Sequence, residues 1–449
     1  MNNTFCYTPR RGGGSSAPTL PAGQLRLAGR EYYQVVSNSA TSTATTIMQG
    51  GWWHEMQAER GNILELRATA VGHYILGATG YTALGKTYTY KVSVYVIYRN
   101  TLIAYPTAIT WAGATSIGVT SGMAMQTSDD WVAANSQIPA GARVFFYYEL
   151  TTPTSGIITI YTRSAIGNNS AIPFATRNYS YAATPPSDIY TQIGGVVNVT
   201  GGTSVSSNPV GLWGILARHQ YDHTAAFVGG DSRVAGDTGT TNDKVNGRSP
   251  IWRVLNDWDI PIHLHAVGGS TLQIHAAVDV KAYAMTAYCQ WAFIKWGVND
   301  IAVNSRSLAN MQTDFGTLIT KLKTANPTLK VVWGLEYPET DDTASTWLST
   351  ATQGPRFGDA ARFGPSGTLA QWNAWLLTRV GIELQAVWDT RDLVESGGAG
   401  TSSLWKSATA TQAFTADGIH INDVGASYEV GMLKTQLLAM GVVPNNGST

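Results

Sequence analysis

Four short segments in the second half of the chain carry the residue types used in nucleophilic catalysis. A serine, Ser232, ends the segment "FVGGDS", in which an apolar run leads into two glycines. Glycines before a serine permit a tight turn that presents the hydroxyl at a strand end, and a following helix would offer free N–H donors. Asp417 lies three residues before His420. This spacing lets a loop bring the carboxylate to one ring nitrogen while the other faces the serine, as a general base requires.

Two further segments offer hydrogen-bond donors for a developing oxyanion. Gly268 and Gly269 follow an apolar run in "HAVGG", and the N–H group of either glycine could point at a developing oxyanion. Asn299 lies just past another apolar run, in "KWGVND", where its amide could donate to the same point. Each segment alone is weak evidence. Their order, with three at strand exits and one before the last helix, is much more specific.

Together the four segments resemble the blocks of the SGNH, or GDSL-type, hydrolase family over roughly residues 220–440, about half of the chain. The resemblance implies that Ser232 is the nucleophile, His420 the base and Asp417 the residue that orients His420. It also implies an oxyanion hole formed by the backbone N–H groups of Ser232 and Gly269 with the Asn299 side chain. No cofactor or metal is implied.

Other residues of these blocks are expected to support the site. They are Gly230, Asp231, Gly297 and Asp300. The two aspartates are expected to hydrogen-bond their own loops rather than to react. The chain also departs from the family pattern, because Arg233 follows the serine where Leu or Ile is common. Leu264 and Ala266 replace the Asn and the first Gly often found in the second block.

Apolar runs and helical periods alternate after residue 210, which predicts parallel βαβ units and a three-layer α/β/α domain. The predicted strands are residues 224–230, 260–269, 290–297, 329–336 and 383–389. The predicted helices are residues 249–258, 305–326, 366–381 and 422–441. Ser249 followed by Pro250 supplies an N-cap with proline at the first helical position. In such sheets, reactive groups gather at the carboxyl ends of the strands.

The first part of the chain has a different composition and pattern. Before residue 200 lie 16 of the 21 Tyr, whereas 11 of the 15 Trp lie after it. Segments such as residues 86–99, 143–152 and 156–164 alternate with the period of two that half-buried strands require. We therefore predict an N-terminal all-β domain resembling a sandwich or jelly roll. The predicted division is a flexible leader (1–23), a β-rich accessory domain (24–182), a linker (183–209) and a hydrolase domain (210–449).

Composition excludes several classes of function. The 29 basic and 29 acidic residues cancel, so no positive field would recruit nucleic acid. No stretch approaches the roughly 20 apolar residues of a membrane span, and no signal peptide is visible. Cys6 and Cys289 are too far apart in sequence for a disulfide framework, and Cys289 is expected to be a buried thiol.

Several aromatic and histidine residues have structural explanations that outweigh functional ones. His263 and His265 point to the same side of a strand, but no acidic or Cys partner stands at a supporting spacing, so a metal site is not expected. Asp222-His223 is expected to be polar surface. The pair Trp52-Trp53 with His54 could stack on sugar rings, although core packing is the simpler explanation.

The predicted function is that of a serine esterase, specifically an O-acetyl esterase that deacetylates a polysaccharide through an acyl-enzyme. The alternatives are a lipase or arylesterase acting on longer acyl esters, and an inert carbohydrate-binding or virion structural protein. The expected partner is an acetylated polysaccharide or a small ester. A surface-directed β domain without a visible signal peptide fits an extracellular or virion-associated protein, either a phage protein, expected to be trimeric, or a secreted bacterial enzyme.

Overall fold

The fold is described from a computed structural model of the chain. The described residues are 22–28, 36–42, 47–55, 60–71, 73–76, 80–83, 87–99, 101–151, 156–162, 177–182, 203–204, 214–235 and 249–446. Most of the leader, most of the linker, Cys6 and Gly236 lie outside them. The side chains of Trp52, Trp53 and His54 also lie outside the description, so their predicted roles remain predictions.

The first half of the chain consists mainly of β-strands, and the second half alternates strands with helices. The strands are β1 (Leu25–Leu27), β2 (Val36–Ser42), β3 (Ile47–Glu55), β4 (Ile63–Ala70), β5 (His73–Leu76), β6 (Gly80–Ala83), β7 (Tyr88–Tyr98), β8 (Thr101–Ala108), β9 (Ile117–Val119), β10 (Gln126–Thr127), β11 (Arg143–Thr151), β12 (Gly156–Thr162), β13 (Arg177–Ala182), β14 (Thr203–Ser204), β15 (Gly214–His219), β16 (Ala226–Gly230), β17 (Ile262–Ala266), β18 (Trp291–Lys295), β19 (Lys330–Gly334), β20 (Thr340–Asp342), β21 (Gln353–Pro355), β22 (Ala386–Trp388), β23 (Ser407–Thr409) and β24 (Gln412–Ala413). The α-helices are α1 (Trp131–Ala134), α2 (Ser232–Ala235), α3 (Pro250–Asp257), α4 (Leu272–Ala277), α5 (Val298–Ala302), α6 (Leu308–Ala325), α7 (Ala360–Phe363), α8 (Thr368–Leu377), α9 (Arg391–Val394) and α10 (Asp423–Ala439). Short 3₁₀ helices cover Val280–Tyr288, Thr350–Thr352 and Arg356–Gly358.

The first half forms antiparallel sheets, in agreement with its predicted β character. One sheet has the order β14-β13-β3-β11-β7-β8, with β9 also pairing β7, and a second has the order β1-β15-β4-β10. The alternation of residues in β7 predicts a half-buried strand, but residues on both of its faces are buried. Val92, Val94 and Val96 enter the main core, but Tyr95 on the other face is buried as well. The sandwich or jelly-roll arrangement remains a prediction.

Strand β15 links the two halves of the chain. It belongs to residues 210–449, yet it pairs with β1 and β4 of the first half. Contacts continue beyond this sheet, because Arg60 Nη2 donates to Asn445 Oδ1 at 3.0 Å. His223 Nε2 lies 2.8 Å from the Leu27 carbonyl oxygen and is buried, which corrects the expectation that the Asp222-His223 pair is polar surface. The division of the chain into domains stays a prediction.

The second half is built on a five-stranded parallel sheet of order β17-β16-β18-β19-β22. All five strands lie within the runs predicted from the sequence. The chain passes from β16 to β17 on one side and then returns to β18 on the other. This reversal puts a topological switch point beside β16, the place where open α/β sheets bind ligands.

Helices cover both faces of this sheet because its strands are apolar on both sides. On one face, Phe227 and Ile294 share a core with Phe315 of α6 and Trp372 of α8. On the other face, Phe293 joins a core with residues of α3 and α10. All four predicted helices are present, and the Ser249 side chain accepts the N–H of Trp252 at the start of α3, as predicted. No helix among the described residues is both long and apolar enough to cross a membrane.

Candidate active site

Strand β16 delivers Ser232 to the carboxyl edge of the parallel sheet. The strand ends at Gly230, and helix α2 begins at Ser232. The turn is tight, since a Cβ at Gly230 would lie 2.3 Å from Cγ2 of Val234 and 2.9 Å from the Lys295 carbonyl oxygen. Only glycine fits between the neighbouring strand and the first turn of α2. The Ser232 side chain consequently stands at the sheet edge, where the residue is partly exposed.

His420 connects Ser232 to Asp417. Its Nε2 lies 2.8 Å from Ser232 Oγ, and its Nδ1 lies 2.7 Å from Asp417 Oδ2. An ionised carboxylate accepts from Nδ1–H, so Nε2 is left as the acceptor of the serine hydroxyl proton. The His420 side chain is 18% exposed and that of Asp417 is 32% exposed. The three side chains that the sequence singles out thus form one hydrogen-bonded chain that a substrate can reach.

The surroundings of Asp417 keep it ionised. Burial alone would raise its pKa, but hydrogen bonds from the His420 side chain and from the backbone N–H groups of His420 and Ile419 outweigh burial. They hold the pKa of Asp417 well below its usual range. The backbone bonds to Asp417 Oδ1 measure 2.8 Å from His420 and 2.9 Å from Ile419. The carboxylate therefore fixes both the loop and the ring of His420.

The loops that carry the candidate oxyanion donors contact one another. The loop after β17 is bonded to this residue, because Val267 N–H donates to the Gly230 carbonyl oxygen at 3.0 Å. Gly269 lies in that loop with a φ of +75°. The Asn299 amide donates to the Ser270 carbonyl oxygen at 3.1 Å, which places the start of α5 against the same loop. Among the backbone carbonyl groups that the structure describes, none outside the helices and strands accepts the N–H group of Ser232 or of Gly269.

The two aspartates of the blocks bond to backbone. Asp231 Oδ1 accepts the N–H of Arg233 at 2.9 Å, within its own loop. Burial, and to a lesser extent the nearby carboxylate of Glu336, raises the pKa of Asp231 well above its usual range. Asp300 was expected to bond within its own loop, but its side chain instead caps helix α4. It accepts the N–H groups of Leu272 at 2.7 Å and Gln273 at 3.0 Å. Burial raises the pKa of Asp300 to about 6.

Gly297 opens helix α5 and has a conformation that other residues avoid. Its φ is +150°, and a Cβ there would lie 2.5 Å from Nε1 of Trp372. This backbone conformation turns the chain from β18 into α5, which carries Asn299 and Asp300. The four supporting residues predicted from the sequence therefore all lie around the loops that hold the candidate site.

A buried charged cluster that includes the residue after Ser232 was not predicted. It contains Arg233, Glu336, Glu339, Lys295 and Glu429. Burial lowers the pKa of Lys295 to about 8 and raises the pKa of Glu429 to about 7. The sequence holds a signal for it, since Lys295 and Glu336 are charged residues at the ends of apolar strand runs. Their partners cannot be identified from spacing.

Three described histidines outside the site, and Cys289, belong to the protein core. His263 and His265 lie beside Phe227, with ring centres 5.8 and 5.3 Å from its ring. His275 stacks on Trp296 at 4.2 Å. In the part of the chain that is described, no group of three or more His, Cys, Asp or Glu side chains is arranged to hold a metal ion. Cys289 is a buried thiol, as expected.

Comparison with known proteins finds no matching family model and no matching curated protein. Among solved structures, a family two carbohydrate esterase from Clostridium thermocellum in complex with cellohexaose is 11% identical, covering 94% of this chain and all of that chain, with a TM-score of 0.33. A protein of Parabacteroides merdae described as a GDSL-like lipase is 12% identical over 49% of this chain and 96% of that one, with a TM-score of 0.35. A carbohydrate esterase family 3 structure from Talaromyces cellulolyticus is 17% identical over 49% of this chain and 98% of that one, with a TM-score of 0.30. At these identities and scores, the chemistry proposed for this chain rests on its own geometry.

Proposed function

We propose that this protein is a serine ester hydrolase of the SGNH type. The hydrogen-bonded chain from Ser232 through His420 to Asp417, with distances of 2.8 and 2.7 Å, is the observation that carries the proposal. It lies at the carboxyl edge of a parallel sheet, beside the switch point, and it is partly exposed. Ser232 is the proposed nucleophile, His420 the general base and Asp417 the residue that orients and stabilises the imidazolium.

The first half of the reaction acylates the serine. His420 Nε2 takes the proton from Ser232 Oγ as the oxygen attacks the ester carbonyl carbon. The carbonyl oxygen becomes an oxyanion, which the N–H groups of Ser232 and Gly269 and the Asn299 amide would stabilise. When the carbon–oxygen bond to the alcohol breaks, His420 returns its proton to the departing oxygen. The products of this half are a free alcohol and an acyl-serine.

The second half repeats these steps with water. His420 removes a proton from a water molecule while the water oxygen attacks the acyl carbon, and the same donors hold the second oxyanion. The bond to Ser232 Oγ then breaks, and His420 returns the proton to the serine. Asp417 stays a carboxylate throughout, which its lowered pKa favours. The carboxylic acid leaves and the enzyme is restored.

For the substrate, we propose the acetyl groups of an acetylated polysaccharide. Only 13% of the residues are charged and the net charge is zero, which suits a neutral polymer better than an anionic surface. The tyrosine-rich residues 24–182 would be an accessory domain for glycan binding or attachment, joined through residues 183–209 to a hydrolase domain at 210–449. Aromatic faces complement the C–H faces of sugar rings.

We further propose an extracellular or virion-associated setting, in which such a β-rich domain would meet host polysaccharide. A virion protein is expected to be trimeric, and a secreted bacterial enzyme has no such requirement. Gel filtration with light scattering distinguishes a trimer from a monomer. This part of the proposal is independent of the chemistry at Ser232.

Hydrolysis of p-nitrophenyl esters from acetyl to octanoyl tests the proposed reaction and its acyl range. We expect hydrolysis confined to acetyl, lost in Ser232→Ala and retained in Ser427→Ala, which changes an exposed serine on α10. Release of acetate from acetylated xylan, pectin or a bacterial capsule then tests the polymer. Preference for longer chains would instead indicate a lipase or arylesterase. No hydrolysis of any ester or polymer would indicate a carbohydrate-binding or virion structural protein.

A further inference from the structure

Arg233, the residue directly after the candidate nucleophile, lies at the centre of the buried charged cluster. Its side chain has no solvent exposure. Nη1 lies 2.8 Å from Glu336 Oε2, and Nη2 lies 2.8 Å from Glu339 Oε1. Both carboxylates follow strand β19, so one guanidinium fastens the start of α2 to the exit of another strand. A buried arginine held by two carboxylates has little freedom to move.

The same guanidinium also holds the loop that carries the candidate base. Nε of Arg233 donates to the carbonyl oxygen of Ile419 at 3.1 Å. Ile419 directly precedes His420, and Arg233 directly follows Ser232. A single planar group therefore connects the residues next to the two atoms that must exchange a proton. The Nη atoms add longer contacts, at 3.4 Å, to the carbonyl oxygens of Tyr337 and Pro338.

The chemistry of the guanidinium explains why the position requires arginine. Its fork presents N–H groups in one plane in fixed directions, and Arg233 uses them on two carboxylates and a backbone carbonyl at once. Lysine has a single nitrogen and could not reach all three. A leucine would leave Glu336 and Glu339 buried without this partner. Arg356 contributes to the cluster only from its edge, since it contacts Glu339 at 2.5 Å with a side chain that is 22% exposed.

We propose that Arg233 is a positioning residue that sets the distance between Ser232 Oγ and His420 Nε2. It does so by holding the start of α2 and the loop before α10 against the exit of β19. The inference rests on the proposed function, in which these two atoms exchange the proton. Arg233 does not touch the reacting atoms. Its substitution is expected to reduce the chemical step rather than substrate binding.

Arg233→Lys in the full chain tests the proposal, because the variant keeps a positive charge between the two carboxylates. With p-nitrophenyl acetate, we expect kcat to fall by about 10- to 100-fold, since misplacement on the ångström scale has effects of this size. KM should stay within about threefold, because binding is not removed. Arg356→Met is the matched control, because it takes an arginine from the same Glu339 without touching either loop, and its kcat should stay within about twofold of wild type.

Crystal structures supply a readout that does not depend on turnover. In Arg233→Lys, the distance from Ser232 Oγ to His420 Nε2, now 2.8 Å, should exceed about 3.5 Å. If the lysine variant does not fold, the neutralised variant Arg233→Met with Glu336→Gln and Glu339→Gln takes its place, with the same expectations.

Two results would overturn the proposal. One is a folded Arg233 variant that keeps the short Ser232–His420 distance, whatever its kcat. The other is a loss of kcat in Arg356→Met as large as that in Arg233→Lys. Such a result would mean that any lost ion pair of Glu339 lowers kcat. If wild type hydrolyses no ester, the proposed function fails. The distance in the variant structure then still decides the positioning role.

Discussion

Ser232 and His420 lie 188 positions apart in the chain, yet Ser232 Oγ and His420 Nε2 are 2.8 Å apart. The serine is brought there by the end of β16, and the histidine by the loop before α10. Helix α10 packs on the same face of the sheet as α3, which brings that loop back to the strand exits. The Gly418 carbonyl oxygen accepts the N–H of Thr340 at 3.1 Å and anchors the loop further. The pairing of serine and histidine is thus a product of the whole α/β half.

Asp417→Asn should lower kcat strongly without unfolding the protein. An amide can donate to Nδ1 and so favour the ring tautomer that carries its proton on Nε2, where it cannot accept from Ser232. By comparison with serine hydrolase triads, we expect a loss of roughly 10³- to 10⁴-fold in kcat. Steady-state hydrolysis of p-nitrophenyl acetate measures it, with circular dichroism as the folding control. A variant retaining most of its activity would remove Asp417 from the proposed mechanism.

Asn299→Ala tests the proposed oxyanion hole. The loss of one donor to the transition state should lower kcat by about 10²- to 10³-fold and leave KM nearly unchanged. The matched control is Asn304→Ala, which removes an exposed amide just beyond the same helix. Among the described residues, this amide donates to Gln273 Oε1 at 3.2 Å. Equal kinetics in the two variants would show that the Asn299 amide serves only the Ser270 loop.

Gly297→Ala should destabilise the protein through backbone strain and a clash with Trp372. With a φ of +150° and a Cβ only 2.5 Å from Trp372 Nε1, alanine cannot fit without movement. We expect a loss of roughly 1–3 kcal/mol in the free energy of unfolding. Gly316→Ala in the exposed side of α6 is the control, because nothing lies within 4 Å of its Cβ position. That variant should be neutral or slightly stabilised, as is usual for glycine replaced in a helix. Equal stabilities of the two variants in urea would contradict the account.

His275→Phe should make stability less sensitive to acid. Burial lowers the pKa of His275 to about 3, whereas an unfolded histidine titrates near about 6.5. Between these values the unfolded state binds the extra proton, so His275 costs stability as the pH falls below about 6.5, by about 1.4 kcal/mol per pH unit. Phenylalanine keeps the stacking on Trp296 and cannot titrate. Urea unfolding of both proteins at pH 7 and pH 5 should show the smaller loss in the variant. Equal losses would mean that His275 is protonated in the folded protein.

Much of the α/β half could be predicted from the sequence because local patterns determine it. Buried parallel strands are apolar on both faces, and the five runs predicted as strands contain β16, β17, β18, β19 and β22. The Ser249 cap and the helical periods are equally local. From the order of the four segments along such a sheet, we could predict that Ser232, Asp417 and His420 lie close together.

Features that depend on distant partners could not be predicted in this way. Strand β15 belongs to the first half's sheet through pairing with β1 and β4, and no local pattern distinguishes this from a strand of the parallel sheet. Burial of Tyr95 on the second face of β7 likewise depends on what covers that face. Arg233 was noticed only as a departure from a family pattern. Its role emerges from Glu336, Glu339 and Ile419, which lie about 100 to 190 positions away.

Covalent labelling with a serine-directed phosphonate tests the central claim most directly. Mass spectrometry of the intact protein and its peptides would show whether a single adduct forms and on which residue. The account predicts one phosphonyl group on Ser232, no adduct in Ser232→Ala, and much slower labelling in His420→Ala because the base that activates the hydroxyl is gone. Labelling of another residue, or equal rates in wild type and His420→Ala, would contradict the proposed Ser232–His420 mechanism.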